Sequence, residues 1–218
     1  HLETLLAKER QKFKRALVIT ESVFSMDGDV AKIDEIIKLK KKFDLEIMVD
    51  EAHSINIKTP KEIDYILGTF SKKFGSFGAY FACSKIVKEY LINKCRSFIF
   101  STALSMGVIS ANISAIEIIE NEKFWQENLI QNTKYFRNKL KNFNLLVLGE
   151  TQIVPIVIGK EDKAVEVAKK LQDKGFWVLP IRYPTVAKGK ARLRFSITTN
   201  HTKKILDEVL KELERCLI

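Results

Sequence analysis

Short apolar runs alternate with helix-like segments through the first part of the chain. Residues 33–43 place Ile33, Ile36, Ile37 and Leu39 among lysines, at the spacing of one face of a helix. A further helix is predicted at 2–14, and strands are predicted at 16–20, 46–49, 63–70 and 78–83. Strands and helices that alternate in this way predict an α/β fold with a doubly wound sheet.

The pattern changes after Arg96, where longer helical patterns and shorter strands follow. Helices are predicted at 105–121, 122–143, 163–174 and 202–216, and strands at 145–148, 153–158, 177–180 and 191–198. This mixture predicts a smaller α+β domain with its own core. The boundary is placed near Leu104, so that residues 1–104 belong to a larger sheet domain and residues 105–218 form the small C-terminal α+β domain.

The chain of 218 residues carries a formal net charge of +10. Such a charge suits an acidic partner, for example a nucleic acid, an acidic carrier protein or a phosphorylated ligand. Lysine runs such as residues 38–42 are more typical of a solvated helix face. Aromatic residues do not alternate with the basic ones, as a nucleic-acid stacking surface requires. We therefore predict no nucleic-acid partner.

Cysteine usage and hydropathy indicate the compartment. No apolar run approaches the roughly 18 residues needed to cross a bilayer, so no membrane partner is predicted. Cys83, Cys95 and Cys216 are far apart and odd in number, which indicates reduced thiols instead of disulfides or a metal site. We expect a cytoplasmic protein without a bound metal.

Two short segments contain the residues with the clearest chemistry. The segment 45–54, LEIMVDEAHS, is an apolar run that stops at Asp50 and is followed by His53. The segment 66–75, ILGTFSKKFG, stops at Thr69 and is followed by Lys72. Ligands of open α/β sheets bind beyond the carboxyl ends of the strands, so these side chains are expected to serve one site.

An acid, an imidazole and an amine at such strand ends suit a pyridoxal phosphate site. The candidates are Lys72 or Lys73 for the Schiff base, Asp50 for the pyridine nitrogen, Thr69 and Ser71 for the phosphate, and His53 for the phenolic oxygen. Gly68 and Gly75 stand on either side of Thr69 and Lys72, and glycine lets the backbone approach a phosphate closely. Each residue alone is more often structural, and it is their combination that favours the cofactor.

The same residues have two other interpretations. The stretch 47–53, IMVDEAH, also matches the metal-binding motif of ATP-dependent helicases of the DEAH type. That machinery requires a phosphate-binding loop of the form GxxxxGK[ST], and the sequence contains none. A catalytically inert binding domain is the second alternative, and the lysine between two glycines disfavours it.

The chain resembles the α-oxoamine synthases, a family of fold-type I pyridoxal phosphate enzymes related to the class II aminotransferases. The resemblance covers nearly the whole chain and rests on several landmarks in the order typical of the family. These landmarks are 21–29 (ESVFSMDGD), 49–54 (VDEAHS), 68–75 (GTFSKKFG), 98–102 (FIFST), 183–186 (YPTV), and 191–194 (ARLR) with 200–202 (NHT).

The resemblance implies a role for each matching residue. Lys72 is the Schiff-base lysine, Asp50 pairs with the pyridine nitrogen, and His53 reaches the phenolic oxygen. For the rest of the site, the implied residues are Ser25 beside the cofactor, Thr69 at its phosphate, Ser101 and Thr102 at the phosphate of a neighbouring subunit, and Thr185 and Arg182 at the substrate, with Arg182 binding a carboxylate. The family forms homodimers with shared active sites, and a homodimer is therefore expected.

The resemblance also implies the reaction class, a decarboxylative condensation of an amino acid with an acyl thioester. The segment 180–186, PIRYPTV, most resembles members of the acyltransferase family that join L-alanine to a pimeloyl thioester, on coenzyme A or an acyl carrier protein. Their product is 8-amino-7-oxononanoate, used in biotin biosynthesis. The alternatives within the family are the glycine users, which make 2-amino-3-ketobutyrate or aminolevulinate, and the serine palmitoyltransferases. A degenerate partner subunit would lack the lysine.

Two departures from the family pattern are visible. Family members carry a long segment before the residue that corresponds to His1, including a phosphate-binding turn. They also continue past the Asp-Glu-Ala-His-Ser stretch into a glycine-rich loop, whereas here Ser54 runs directly into INIKT. We expect that the complete polypeptide contains both segments.

Overall fold

The computed structural model describes residues 1–55 and 59–217. Its contacts separate two compact units. The first unit comprises His1–Val23 and Ala31–Glu122, and the second comprises Phe24–Val30 and Lys123–Ile218. Each unit has its own sheet, and each is described separately below.

The first unit contains a four-stranded sheet in the order β1-β2-β3-β4. The strands are β1 (Leu17–Glu21), β2 (Glu46–Asp50), β3 (Tyr65–Thr69) and β4 (Ala79–Ala82). The helices are α1 (Leu2–Glu9), followed by a 3₁₀ turn at Arg10–Lys12, then α2 (Ile33–Phe43), α3 (Lys85–Lys94), α4 (Arg96–Ile99) and α5 (Met106–Asn121). Strands β1, β2 and β3 are parallel, whereas β4 is antiparallel to β3. The α/β class predicted from the sequence is confirmed.

The core of the first unit lies between β2 and α2. Side chains alternate along a strand, and Ile47 and Val49 of β2 are accordingly buried on one face. The apolar stripe of α2 packs against them through Ile33, Ile36 and Ile37. Helix α2 ends at Asp44, which has a left-handed backbone.

A guanidinium closes the end of α2. Arg10 donates to the carbonyl oxygens of Phe43 at 2.7 Å and Asp44 at 3.0 Å. These carbonyls lie at the end of the helix, where the last turn lacks intrahelical donors. A cation there also interacts favourably with the helix dipole. The charged residues of the N-terminal segment thus serve to cap α2.

The second unit is an antiparallel α+β structure, as its patterns predict. Its strands are β5 (Leu146–Val147), β6 (Ile153–Gly159), β7 (Leu179–Ile181) and β8 (Ala191–Ser196), in the order β5-β6-β8-β7. Its helices are α6 (Lys123–Leu140), α7 (Glu161–Asp173) and α8 (Lys203–Leu217). The core includes Phe136 and Leu140 of α6, Ile156 of β6, Leu193 of β8 and Leu213 of α8, all almost fully buried.

A short segment from between β1 and α2 belongs to the second unit. Gly28 in this segment has φ of +68°, and its carbonyl oxygen accepts from Thr151 Oγ1 at 2.9 Å and from the Glu150 amide at 3.0 Å. A Cβ at Gly28 would lie 2.3 Å from the Ile153 carbonyl oxygen, so only glycine fits. The same segment carries Asp27, which pairs with Arg192 of β8.

The sequence patterns missed α3 and α4. Helix α4 has only four residues, too few for a helical period to be recognised. In α3, Ile86, Val87, Tyr90 and Leu91 do follow helical spacing, so this helix could have been predicted. Helix α5 groups with the first unit, whereas the predicted boundary falls near Leu104. The domain boundary near Leu104 stays a prediction.

The described residues were compared with the requirements of a membrane-spanning helix and of a metal site. Within residues 1–55 and 59–217, no helix is both long enough and apolar enough to cross a membrane. Among these same residues, the His, Cys, Asp and Glu side chains form no group of three or more suited to a metal ion. The cysteines Cys83, Cys95 and Cys216 are free.

Arg137 of α6 organises the loop that leads into β6. Its guanidinium donates to the carbonyl oxygens of Leu148, Gly149, Thr151 and Ile153, at 2.7 to 3.1 Å. Burial lowers the pKa of Arg137, an effect that the charge of Glu150 opposes. One side chain therefore satisfies four backbone acceptors that no strand partner reaches.

We expect Arg137→Met to lower the free energy of unfolding by about 2 to 4 kcal/mol, because four carbonyls, three of them in part-buried hydrogen bonds, lose a charged donor at once. Chemical denaturation followed by circular dichroism would measure this. The matched control is Arg215→Met, which removes an exposed ion pair with Glu212 on α8 and should change stability by less than about 1 kcal/mol. Equal effects of the two substitutions would contradict the role of Arg137.

Candidate functional site

The parallel register of β1, β2 and β3 brings the two predicted segments to one edge of the sheet. Asp50 at the end of β2 pairs with Leu67 of β3 on one side and with Glu21 of β1 on the other. Thr69 ends β3 two residues beyond Leu67. Both segments therefore leave the sheet at the same edge, as expected for a ligand site in this class of fold.

The Asp50 carboxylate is fixed by the turn that follows β2. Its Oδ1 accepts from the backbone amide of Ala52 at 2.8 Å, a local turn that aspartate favours. The carbonyl oxygen of Asp50 accepts from the Ser22 amide at 2.9 Å, beyond the end of β1. The half-buried carboxylate is thus held at the strand end.

His53 and Lys72 are in hydrogen-bonding contact. The distance between Lys72 Nζ and His53 Nε2 is 2.9 Å, and the tautomer of the imidazole decides which atom donates. Lys72 is exposed and His53 is half-buried. An amine beside an imidazole can exchange a proton with it, so the pair can both bind a carbonyl group and move a proton nearby.

Two hydroxyl groups lie at the end of β3. Thr69 Oγ1 and Ser71 Oγ are 2.8 Å apart, and Thr69 Oγ1 also accepts from the Ser71 amide at 3.2 Å. Thr69 Oγ1 is 3.1 Å from the Gly78 carbonyl oxygen, to which it donates. Hydroxyl and amide donors clustered at a strand end suit an anionic group such as a phosphate.

Gly68 and Gly78 permit close packing beneath these hydroxyls. A Cβ at Gly68 would lie 2.2 Å from Tyr80 Cζ, since Tyr80 is its partner across β3 and β4. Gly78 has φ of +97°, and a Cβ there would lie 2.8 Å from a methyl group of Leu104. Gly75 has φ of +62° with open space around it.

Glu51 was missed by the sequence reasoning. Only 8% of it is exposed, and its carboxylate accepts from Ser22 Oγ at 3.0 Å and Thr59 Oγ1 at 3.2 Å. The strand period contained the signal, because Glu51 follows Ile47 and Val49 at every second position.

Burial lowers the pKa of Lys73 and raises that of Tyr80, and the charge of Glu51 acts to raise both.

The remaining predicted site residues lie elsewhere in the two units. Ser101 and Thr102 belong to the first unit and are exposed after α4, where Ser101 Oγ donates to the Phe98 carbonyl oxygen at 3.3 Å. Ser25, Arg182 and Thr185 belong to the second unit.

Within the second unit, the Ser25 carbonyl oxygen accepts from Arg194 Nε at 2.7 Å. The Thr185 amide donates to the Arg182 carbonyl oxygen at 3.0 Å, and both of these residues are exposed. The roles expected of Ser25, Arg182 and Thr185 remain predictions. The departure expected after Ser54 extends over residues 56–58, which lie outside the described residues.

A groove of about 570 Å³ lies in the second unit, and its lining residues include none of the predicted site residues. Its lining includes Lys134, Arg137 and Lys141 of α6 with Phe143 and Leu146. The Arg137 guanidinium donates to backbone carbonyls and is not available to bind an anion in the groove. We assign the candidate site to the strand ends, where the reactive side chains meet.

The chain is similar to known proteins over almost its whole length. The family described as aminotransferase class I and II matches residues 1–213. A protein of Bacillus cereus (strain Q1), provisionally named 8-amino-7-oxononanoate synthase, is 42% identical over 215 residues. That match covers 93% of this chain and 54% of the relative. A protein of Geobacillus kaustophilus with the same name is 43% identical over 220 residues, covering 94% of this chain and 56% of the relative.

Solved structures give the same picture. A variant of serine palmitoyltransferase from S. paucimobilis, with bound PLP and myriocin, has 27% identity and a TM-score of 0.88. The 8-amino-7-oxononanoate synthase of Francisella tularensis has 25% identity and a TM-score of 0.80. These matches cover 97% and 96% of this chain but 57% and 65% of the other chains. The chain thus spans little more than half the length of the curated relatives described above.

We expect Gly68→Ala to lower the free energy of unfolding by about 1 to 3 kcal/mol, because the added methyl group must displace the Tyr80 ring. Thermal or urea denaturation would measure the change. Gly107→Ala, in α5 with no atom within 4 Å of the new Cβ, is the matched control and should leave stability equal or slightly higher. In a Tyr80→Ala background the cost of Gly68→Ala should disappear. Persistence of the full cost there would contradict this packing.

Proposed function

We propose a function for this chain that starts from its family: it belongs to the aminotransferase class I and II family. Within that family, we propose that it is part of an α-oxoamine synthase that uses pyridoxal phosphate. The reaction joins an amino acid, L-alanine, to a pimeloyl thioester on coenzyme A or an acyl carrier protein, with release of the thiol and of carbon dioxide. The product is 8-amino-7-oxononanoate. The names of the curated relatives support this choice.

The observation that carries the proposal is the contact of 2.9 Å between Lys72 Nζ and His53 Nε2 at the strand edge that also holds Asp50. The residues fit the cofactor, because an acid, an imidazole, an amine and a pair of hydroxyls correspond to its ring nitrogen, phenolic oxygen, aldehyde and phosphate. Thr69 and Ser71 supply the hydroxyls, which are 2.8 Å apart. When bound, pyridoxal phosphate supplies a protonated ring that accepts electrons from the substrate α-carbon.

Each residue of the chain then has a separate task. The Asp50 carboxylate, held by the Ala52 amide, keeps a proton on the ring nitrogen by charge pairing. Lys72, once its amine is free, takes the proton from the α-carbon of the amino acid. His53 orients the phenolic oxygen and shares a hydrogen bond with that amine.

The other parts of the proposal rest on the family resemblance. Arg182 and Thr185 bind the substrate, with the guanidinium of Arg182 on a carboxylate. Ser25 lies beside the cofactor. Ser101 and Thr102 reach the phosphate of a second copy, so the working enzyme is a homodimer. Its location is the cytoplasm. The basic surface, with a net charge of +10, suits an acidic carrier protein as acyl donor.

A second candidate is the serine reaction of the sphingolipid branch. It is favoured by the serine palmitoyltransferase structures, one of which matches this chain with a TM-score of 0.89 and 28% identity. The higher identity of the relatives named for the alanine reaction, 42% and 43%, favours alanine as the amino acid. A direct assay separates the two candidates, as described below.

In the complete polypeptide, with the segment expected before His1, Lys72→Ala should abolish the visible absorbance band that forms with pyridoxal phosphate, because that band requires the amine of Lys72. Treatment with borohydride should remove the band from the parent protein. Lys73→Ala is the matched control, since it removes the neighbouring amine and should leave the band in place. A band that survives in Lys72→Ala but not in Lys73→Ala would show that the other lysine is the reactive one.

Carbon dioxide release should be fastest with alanine and pimeloyl thioester. The substrates to compare are alanine, glycine and serine, each with pimeloyl, succinyl and palmitoyl thioesters. We expect kcat/KM for alanine to exceed that for glycine or serine by about tenfold or more, the discrimination that a fitted pocket gives for one small group. Faster release with serine and a palmitoyl thioester would favour the second candidate.

A further inference from the structure

Glu51 is a buried carboxylate without a part in the reaction proposed above. It is 8% exposed, and Ser22, whose hydroxyl donates to Oε2 at 3.0 Å, is 9% exposed. Thr59 Oγ1 donates to Oε1 at 3.2 Å. A carboxylate is rarely buried unless its oxygens are hydrogen-bonded, and here each oxygen accepts from a hydroxyl.

The backbone of Glu51 ties together the ends of two strands and the turn that follows. Its amide donates to the Leu67 carbonyl oxygen of β3 at 2.7 Å. Its carbonyl oxygen accepts from the Ser54 amide at 3.1 Å, which closes the turn that contains His53. Ser22 adds the end of β1, because its amide donates to the Asp50 carbonyl oxygen at 2.9 Å while its hydroxyl proton goes to Glu51 at the shorter distance of 3.0 Å.

Glu51 is also next to the reactive residues along the chain. It lies between Asp50, whose carboxylate is held by the turn, and His53, which contacts Lys72. A side chain fixed by two hydroxyls restricts the turn to one conformation, in the way that outer hydrogen bonds orient the groups of a reactive site. If the turn relaxed, His53 would lose its distance to Lys72, since His53 is connected to the sheet through it.

We propose that Glu51 is a positioning residue, whose carboxylate, held by Ser22 and Thr59, fixes the turn at residues 51–54 and so keeps His53 in contact with Lys72. The chemical purpose of that contact rests on the function proposed above. The contact itself can be followed in the protein without cofactor.

The experiment follows the imidazole of His53 by nuclear magnetic resonance in the full chain at one fixed pH. The sequence contains only three histidines, His1, His53 and His201, so a His53→Gln variant assigns the signal. Lys72→Ala defines how the signal moves when the contact with the amine is lost. Ser22→Ala and Glu51→Ala should move it in the same direction. Neither should move it further once Lys72 is already alanine, because the contact is then absent in both states.

Two variants separate position from charge and from general stability. Glu51→Gln keeps an acceptor oxygen for Ser22 but removes the charge, and it should leave the His53 signal close to that of the parent. Tyr65→Phe is the matched control, because it removes a hydroxyl that donates to a carboxylate, Glu46, at 2.7 Å at the opposite end of the same strands. It should not move the signal.

The results have definite meanings. The proposal is overturned if Ser22→Ala and Glu51→Ala leave the signal unchanged, if Glu51→Gln moves it as far as Glu51→Ala, or if Tyr65→Phe moves it equally. The affinity for pyridoxal phosphate, measured in parallel, should fall about tenfold in Ser22→Ala, a loss typical of a slightly misplaced group. Failure of the complete polypeptide, with the segment expected before His1, to bind pyridoxal phosphate would reject the proposed function, whereas the His53 signal would still decide the role of Glu51.

Discussion

The parallel pairing of β2 between β1 and β3 is the constraint on which the rest of the first unit depends. Parallel strands end at one edge, so Asp50 and Thr69 leave the sheet together although 18 residues separate them in sequence. The burial of Ile47 and Val49 beneath α2 fixes the register, since a shift by one residue would turn both side chains to the other face. The same shift would turn Glu51 away from Ser22 and Thr59. Core packing and site geometry are therefore set by one alignment.

The two units satisfy their polar groups by different means. In the first unit, hydroxyls at the strand ends serve a buried carboxylate and the Gly78 carbonyl oxygen. In the second unit, the Arg137 guanidinium serves four carbonyls in the loop before β6. The groove beside Arg137 is open, but its guanidinium is engaged with backbone carbonyls. The contact between Lys72 and His53 lies instead at the strand ends, where the candidate site is assigned.

The sequence was most informative where one physical effect dominates. Helix α2 was predicted with its observed bounds, because its apolar stripe among lysines is strong. The contact of Lys72 with His53 could be anticipated, since both follow strands that end at one edge. Helix α4 was missed because four residues are too few to show a period, whereas the spacing of Ile86, Val87, Tyr90 and Leu91 in α3 was overlooked. The strand period places Glu51 on the buried face, but its hydroxyl partners and the four bonds of Arg137 depend on residues distant in sequence, which local patterns do not identify.

The hydrogen bonds of Gly28 join parts of the chain that are far apart in sequence, and this affects the order in which the units can fold. The segment 24–30 leaves β1 before α2 has formed, yet its Gly28 carbonyl oxygen is bound by Thr151 and Glu150, more than a hundred residues later. Neither unit is therefore one continuous stretch of chain. The second unit closes a long loop before its structure is complete, and loops of this length are slow to close. During synthesis, the first unit can acquire its sheet while this segment still waits for its partners to be made.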